Sequence, residues 1–238
     1  MKRTALTASA LSVLALATLT ACGGDKEPDN STGEPRPTTS QAQQATPAQR
    51  LAQLMVRPAN VDGFSVDKPD AEFAFATSPE EVKVDKPACA PLAYAMNQLP
   101  LGDPTADLTR VVSKSISDAH THITLTTYET GAAQPALADV RKALSACGDG
   151  FTAKASGGTN TYDSVTEEKV APAGDETLGF KATMTFRGIS HTLHTQVVRK
   201  ADVLGVYHSV DGLAIAQARP SDAKLSAAVV KAQNAKLG

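Results

Sequence analysis

The stretch from Thr177 to Val210 most constrains the fold. Leu178, Phe180, Ala182, Met184 and Phe186 alternate with Gly179, Lys181, Thr183 and Thr185, the period-two signature of a strand with one face buried and the other wet. Ile189 to Arg199 and Val203 to Val210 extend the pattern, with a tight turn at Ala201-Asp202. Upstream, Leu108 to Ser117 and His120 to Glu129 predict a hairpin whose second strand turns Ile123 and Leu125 one way and His120, His122, Thr124 and Thr126 the other. Phe73 and Phe75 alternate with small residues like a short strand, and the charge-dense Tyr162 to Val170 has the profile of an edge strand. A twisted antiparallel sheet of roughly five to seven strands follows.

Helical periods lie between and around these runs. Thr46-Pro47 opens a helix through Leu51, Leu54 and Met55 that ends before Pro58, with Thr46 as N-cap and Pro47 at the first helical position. Cys89 to Gln98 places Cys89, Leu92 and Met96 on one face. Gln134 to Cys147 does the same for Leu137, Val140, Leu144 and Cys147, and Gly148 stops it. Pro220-Ser221 caps a last helix carrying Leu225, Val229 and Ala232. Ser78-Pro79-Glu80-Glu81 has capping-box spacing while Val82 and Val84 alternate, so both helix and strand stay open there. Separate runs of helices and antiparallel strands define an α+β domain, and we expect its helices to pack on one face of the sheet.

The chain holds three cysteines, and the first belongs to a different device. Lys2 and Arg3 precede an uncharged apolar run from Ala5 to Thr18, which closes in Leu19-Thr20-Ala21-Cys22. That pattern predicts a secretory signal peptide over residues 1–21. It resembles the lipobox of bacterial lipoproteins, which implies lipidation of Cys22 and anchoring to the membrane on its extracytoplasmic side. The apolar run is marginal for the roughly twenty residues of a spanning helix. An exported chain with Cys89 and Cys147 left over predicts one disulfide between them, joining two helices.

Gly23 to Arg50 contains no Val, Ile, Leu, Met or aromatic residue. Such a segment cannot bury enough apolar area to order itself, so residues 22–45 are expected to be a disordered linker spanning roughly 30 Å, and residues 46–238 a single domain. The formal net charge is −2, and loss of Lys2 and Arg3 makes it more acidic. That leaves no electrostatic footprint for nucleic acid.

Catalytic patterns are weak. Ser65-Val66-Asp67-Lys68 and Ser221-Asp222-Ala223-Lys224 both fit Ser-x-x-Lys, yet the accompanying Ser-Asp-Asn-like and Lys-Thr-Gly elements are missing. Gly-x-Ser-x-Gly, His-Glu-x-x-His and phosphate-binding glycine loops do not occur in the sequence. We therefore expect no enzyme and no cofactor. His120 and His122 point the same way about 7 Å apart, but two imidazoles are an incomplete metal site, and none is expected. His191 and His208 fall on apolar strand faces, some 13 Å apart if Ala201-Asp202 is the turn.

A binding surface remains. A polar sheet face carrying His120, His122, Lys181, Arg187 and His194 among threonines suits a polar or anionic ligand or a protein partner. The alternative is a carrier that holds a lipid or other apolar molecule between helices and sheet, in a void lined by Phe180, Met184 and Phe186.

The lipobox, the Thr/Pro-rich tail, Cys89-Ala90-Pro91-Leu92, Ala146-Cys147-Gly148 and the strand run from Thr177 to Val210 together resemble actinobacterial lipoproteins. More narrowly, they are similar to the extracellular sensor-like domain of the mycobacterial kinase PknH and its free lipoprotein relatives. The resemblance implies a domain that senses or binds rather than catalyses, and it carries over no catalytic residue. That family typically has two disulfides, whereas this chain has cysteines for one.

Overall fold

Period-two alternation builds one sheet, longer than the expected five to seven strands. A computed structural model describes residues 45–238. The expected signal peptide (1–21), the lipidation at Cys22 and all of the expected linker but residue 45 lie outside the described residues. Ten strands form: β1 (Ser65–Asp67), β2 (Lys83–Val84), β3 (Ala106–Ser113), β4 (His120–Thr127), β5 (Phe151–Ala155), β6 (Gly158–Glu167), β7 (Glu176–Phe186), β8 (Ile189–Lys200), β9 (Val203–Val210) and β10 (Ser221–Ala223). Their order is β1-β3-β4-β9-β8-β7-β6-β5-β2, with β10 added alongside β8.

The long strands match the sequence reading, including the hairpin at Ala201-Asp202, where Lys200 pairs with Val203. The differences concern short or flanking pieces. Phe73 ends a 3-10 turn, Ala71–Phe73, instead of a strand, and stands 82% exposed. Both features read at 78–84 exist in succession: a 3-10 turn, Pro79–Glu81, then β2. The expected edge strand, β6, is interior, flanked by β5 and β7. Pro220-Ser221 does not open a helix. Ser221–Ala223 runs parallel to His191–Leu193 of β8, where the β8–β9 ladder has ended at His194 and Ser209.

Five helices flank the sheet: α1 (Pro47–Leu54), α2 (Ala90–Met96), α3 (Ala133–Ala146), α4 (Gly212–Ala216) and α5 (Ala227–Leu237). Thr46 Oγ1 accepts from Gln49 N–H, and Gln49 Oε1 accepts from Thr46 N–H, a complete capping box at α1. The helices cover both faces, not the single face expected. Leu92, Leu137 and Val140 of α2 and α3 join a core with Tyr162, Phe180 and Leu193. Leu51 of α1 and Val229 of α5 join a second with Ile123, Leu125, Val198 and Tyr207. Val197 and Val198, neighbours that must point to opposite faces, are both 0% exposed. The central strands are thus buried on two sides.

Buried Gln233 of α5 fastens the second layer. Its Oε1 accepts from Val56 N–H at 2.9 Å and its Nε2 donates to Leu54 O at 2.8 Å, satisfying backbone groups freed where α1 ends. Tyr207 donates to Asn234 Oδ1 at 2.6 Å. The disulfide Cys89–Cys147 is present, with Cα atoms 5.9 Å apart. It joins cap residues, Cys89 at the N-cap of α2 and Cys147 at the C-cap of α3, and not the helix stripes read from the sequence.

Candidate functional site

Strand register decides which histidines meet. Val112, Thr121, Ser209, His194 and Lys181 are successive cross-strand partners, and Val112 belongs to the α1/α5 core. The adjacent row is Val111, His122, His208, Thr195 and Phe180, and Phe180 belongs to the α2/α3 core. His120 and His122 therefore lie on the opposite side of the sheet from Lys181 and His194. The common face expected for the five candidate residues does not exist. Arg187 is farther still, in the two-residue turn with Gly188, both at positive φ (51° and 78°). Its guanidinium sits 5.1 Å from the Phe186 ring centroid, about 20 Å along the strand from Lys181.

On the α1/α5 face His194 is 2% exposed and held from both sides. Its Nδ1 lies 2.6 Å from Glu168 Oε2 and its Nε2 lies 2.6 Å from Asp222 Oδ1. Both ring nitrogens are thus engaged by carboxylate oxygens from two different elements. Lys224 Nζ, 3.1 Å from Nε2, is accounted for by its 3.0 Å bridge to Asp222 Oδ2. The bond from His194, then Lys224, holds the Asp222 carboxyl below its ordinary range. Glu168 belongs to the loop after β6 and Asp222 to β10, so His194 pins both to β8. Its nitrogens are taken, which removes it as a ligand-binding group and leaves Lys181 as the exposed cation beside it.

Three histidines gather on the α2/α3 face. His122 and His208 are direct partners across β4 and β9, with His120 two residues along β4. His208 Nδ1 meets Thr195 Oγ1 at 3.0 Å, and the hydroxyls of Thr109 and Thr124 are 3.1 Å apart in the next row. His208 is buried, whereas His120 and His122 are half-buried. His120 Nε2 and His122 Nδ1 are buried without a hydrogen-bond partner among the described residues. Burial, then the neighbouring His120, pushes His122 down to about 4. Burial, then His122 and His194, pushes His208 down to about 3. At neutral pH His122 and His208 are therefore uncharged imidazoles. Among the described residues no group of three His, Cys, Asp or Glu side chains is placed to hold a metal ion.

Sequence reading missed that His208 joins His122, because it placed the polar side of β4 away from the apolar side of β9. With apolar layers on both faces, an apolar stripe does not say which side it occupies. His191, 0% exposed, bonds Ser221 Oγ through Nδ1 at 2.9 Å. Its Nε2 is buried without a partner among the described residues, so none of their carboxylates orients the ring as a serine nucleophile's base requires. Two surface cavities of about 300 and 400 Å³ lie in the β6–β7 connection and beside β2 and β5. Neither is lined by a histidine or by Phe180, Met184 or Phe186. Phe180 and Met184 are instead packed within the α2/α3 core.

This architecture has a solved counterpart. The extracellular domain of PknH from Mycobacterium tuberculosis superposes with a TM-score of 0.52 at 13% sequence identity, covering 81% of this chain and 94% of that one. The fold resembles that domain. The Rv0999 ortholog from Mycobacterium smegmatis aligns over 79% of this chain and 91% of its own at 13% identity, with a TM-score of 0.36. No protein-family model and no curated protein matches the sequence. Among the described residues no helix is long and apolar enough to cross a membrane.

Proposed function

We propose that the chain is an extracytoplasmic lipoprotein, anchored through Cys22, whose domain binds a polar ligand or protein partner without catalysing a reaction. The observation that carries the binding site is the half-buried pair His120 and His122, whose Nε2 and Nδ1 have no partner among the described residues. Buried polar groups are normally satisfied, so such atoms suit a partner from outside. Thr109 and Thr124 add hydroxyls beside them. His122 and His208 are uncharged near neutral pH and lie on the opposite face from Lys181, so the ligand class narrows to neutral donors and acceptors such as hydroxyls and amides. The PknH-like fold and the lipobox support the location and the binding role; the dead-ended Ser221–His191 pair supports the absence of catalysis.

Two measurements test this reading. Detergent phase partitioning of the full chain should place it in the detergent phase, and Cys22→Ala should move it to the aqueous phase; equal partitioning of both would remove the anchor. For the site, thermal shifts with a neutral disaccharide and a dipeptide amide should disappear in His120→Ala/His122→Ala. Shifts that survive in the double variant would place the site elsewhere.

A further inference from the structure

The sheet face opposite α2 and α3 is covered by α1 and α5 only over its other strands. No residue of β5 or β6 joins the α1/α5 core. Ala153 of β5 is 0% exposed in the α2/α3 core, so its neighbours Thr152 and Lys154 turn to the uncovered side. Register sets two rows there: Lys83, Lys154 and Thr159 across β2, β5 and β6, then Thr152 and Thr161 beside them. Thr152 is half-buried and the other four are exposed.

Lys83 and Lys154 are direct cross-strand partners, and like charges so placed repel. Among the described residues neither forms a salt bridge. The strand that creates this opposition is held in place. Asp85 N–H donates to Thr152 O at 3.0 Å, Thr152 N–H donates to Asp85 Oδ1 at 2.9 Å, and Lys86 Nζ donates to Gly150 O at 2.6 Å. These bonds lock two-residue β2 in the register that sets lysine against lysine. A surface cavity of about 400 Å³ opens at the pair, lined by Lys83, Val84, Asp85, Thr152 and Lys154. Asp85 is the one carboxylate in the lining, and with Oδ1 taken by Thr152 its Oδ2 is left as an acceptor.

We propose that this cavity binds an acidic sugar, its carboxylate or phosphate between Lys83 and Lys154 and its hydroxyls on Asp85, Thr152, Thr159 and Thr161. An oxyanion between the two ammonium groups replaces their repulsion with two charge-assisted hydrogen bonds. A bare anion would meet only half of the lining, because Asp85 needs a donor and a sugar hydroxyl supplies one. The cavity volume lies within the range of small-molecule sites. This site lies on the opposite side of the sheet from His120 and His122, takes a charged ligand and does not depend on the binding reading given above.

The test titrates the full chain with galacturonate, glucose 6-phosphate, glucose and inorganic phosphate, following the Lys83 and Lys154 side chains and the Thr152 amide by NMR. At least one acidic sugar should shift all three signals with an affinity about tenfold or more above those of glucose and inorganic phosphate, while the His120 and His122 rings stay still. The tighter of the two acids tells carboxylate from phosphate. K154Q should weaken that binding about tenfold. K83E should abolish it while the chain stays folded, since a carboxylate opposite Lys154 replaces repulsion with attraction. Inorganic phosphate binding as tightly as both acids, no preference for either acid over glucose, or affinity that survives in K83E would overturn the site.

Discussion

At the residue scale, three polar side chains, Gln233, His122 and His208, have roles that composition alone does not announce. Gln233 satisfies one donor and one acceptor at the end of α1. Gln233→Leu keeps the bulk and strands Val56 N–H and Leu54 O, which should cost about 1–3 kcal/mol in chemical denaturation. His122 and His208 set the acid dependence of stability. Both are lowered in the folded chain from 6.5, to about 4 and about 3. Between those values and 6.5 the unfolded chain binds protons that the folded chain refuses, so stability is full above about pH 6.5 and falls on acidification. At about 1.4 kcal/mol per pH unit, His122 alone accounts for about 3 kcal/mol. Urea titrations at pH 7 and pH 4.5 should show that loss, and H122Q/H208Q should flatten it; equal slopes in variant and parent would refute the assignment.

At the element scale, Gly179 shows how a strand accepts a loop across its face. A Cβ there would stand 2.4 Å from Val170 Cγ1 and 2.6 Å from Glu168 O. The loop after β6 can thus lie on β7, give the Glu168 N–H to Gly179 O at 2.8 Å and bring Glu168 to His194. Gly179→Ala should lift the loop, cost about 1–3 kcal/mol and increase amide exchange at Glu168. The cap-to-cap disulfide closes a separation of 58 residues, worth about 4 kcal/mol in the chain-entropy model; Cys89→Ala/Cys147→Ala should lower the denaturation midpoint accordingly.

Legibility followed element length. Strands of eight or more residues such as β7 and β8 were readable because alternation repeats enough times to exceed chance. β2 and β10 have only two and three residues, and their existence depends on the neighbour they join. Thr46 and Pro47 announced α1 because the cap chemistry is local. The clasp on His194 was not legible, since its partners arrive from 26 residues before and 28 residues after and no spacing rule links them.

At the scale of the whole molecule, a sheet covered on both faces leaves little room for a deep ligand cavity at its centre, and function moves to places where cover is thin. The end of the α2/α3 face carrying His120 and His122 is such a place. The direct measurement is a histidine-ring NMR titration of the full chain with a neutral disaccharide, a dipeptide amide and inorganic phosphate. The neutral probes should shift the His120 and His122 signals, phosphate should shift neither, and His194 should stay fixed in its carboxylate clasp. Binding that moves Lys181, Arg187 or His194 while His120 and His122 remain still would contradict the assignment of the working face.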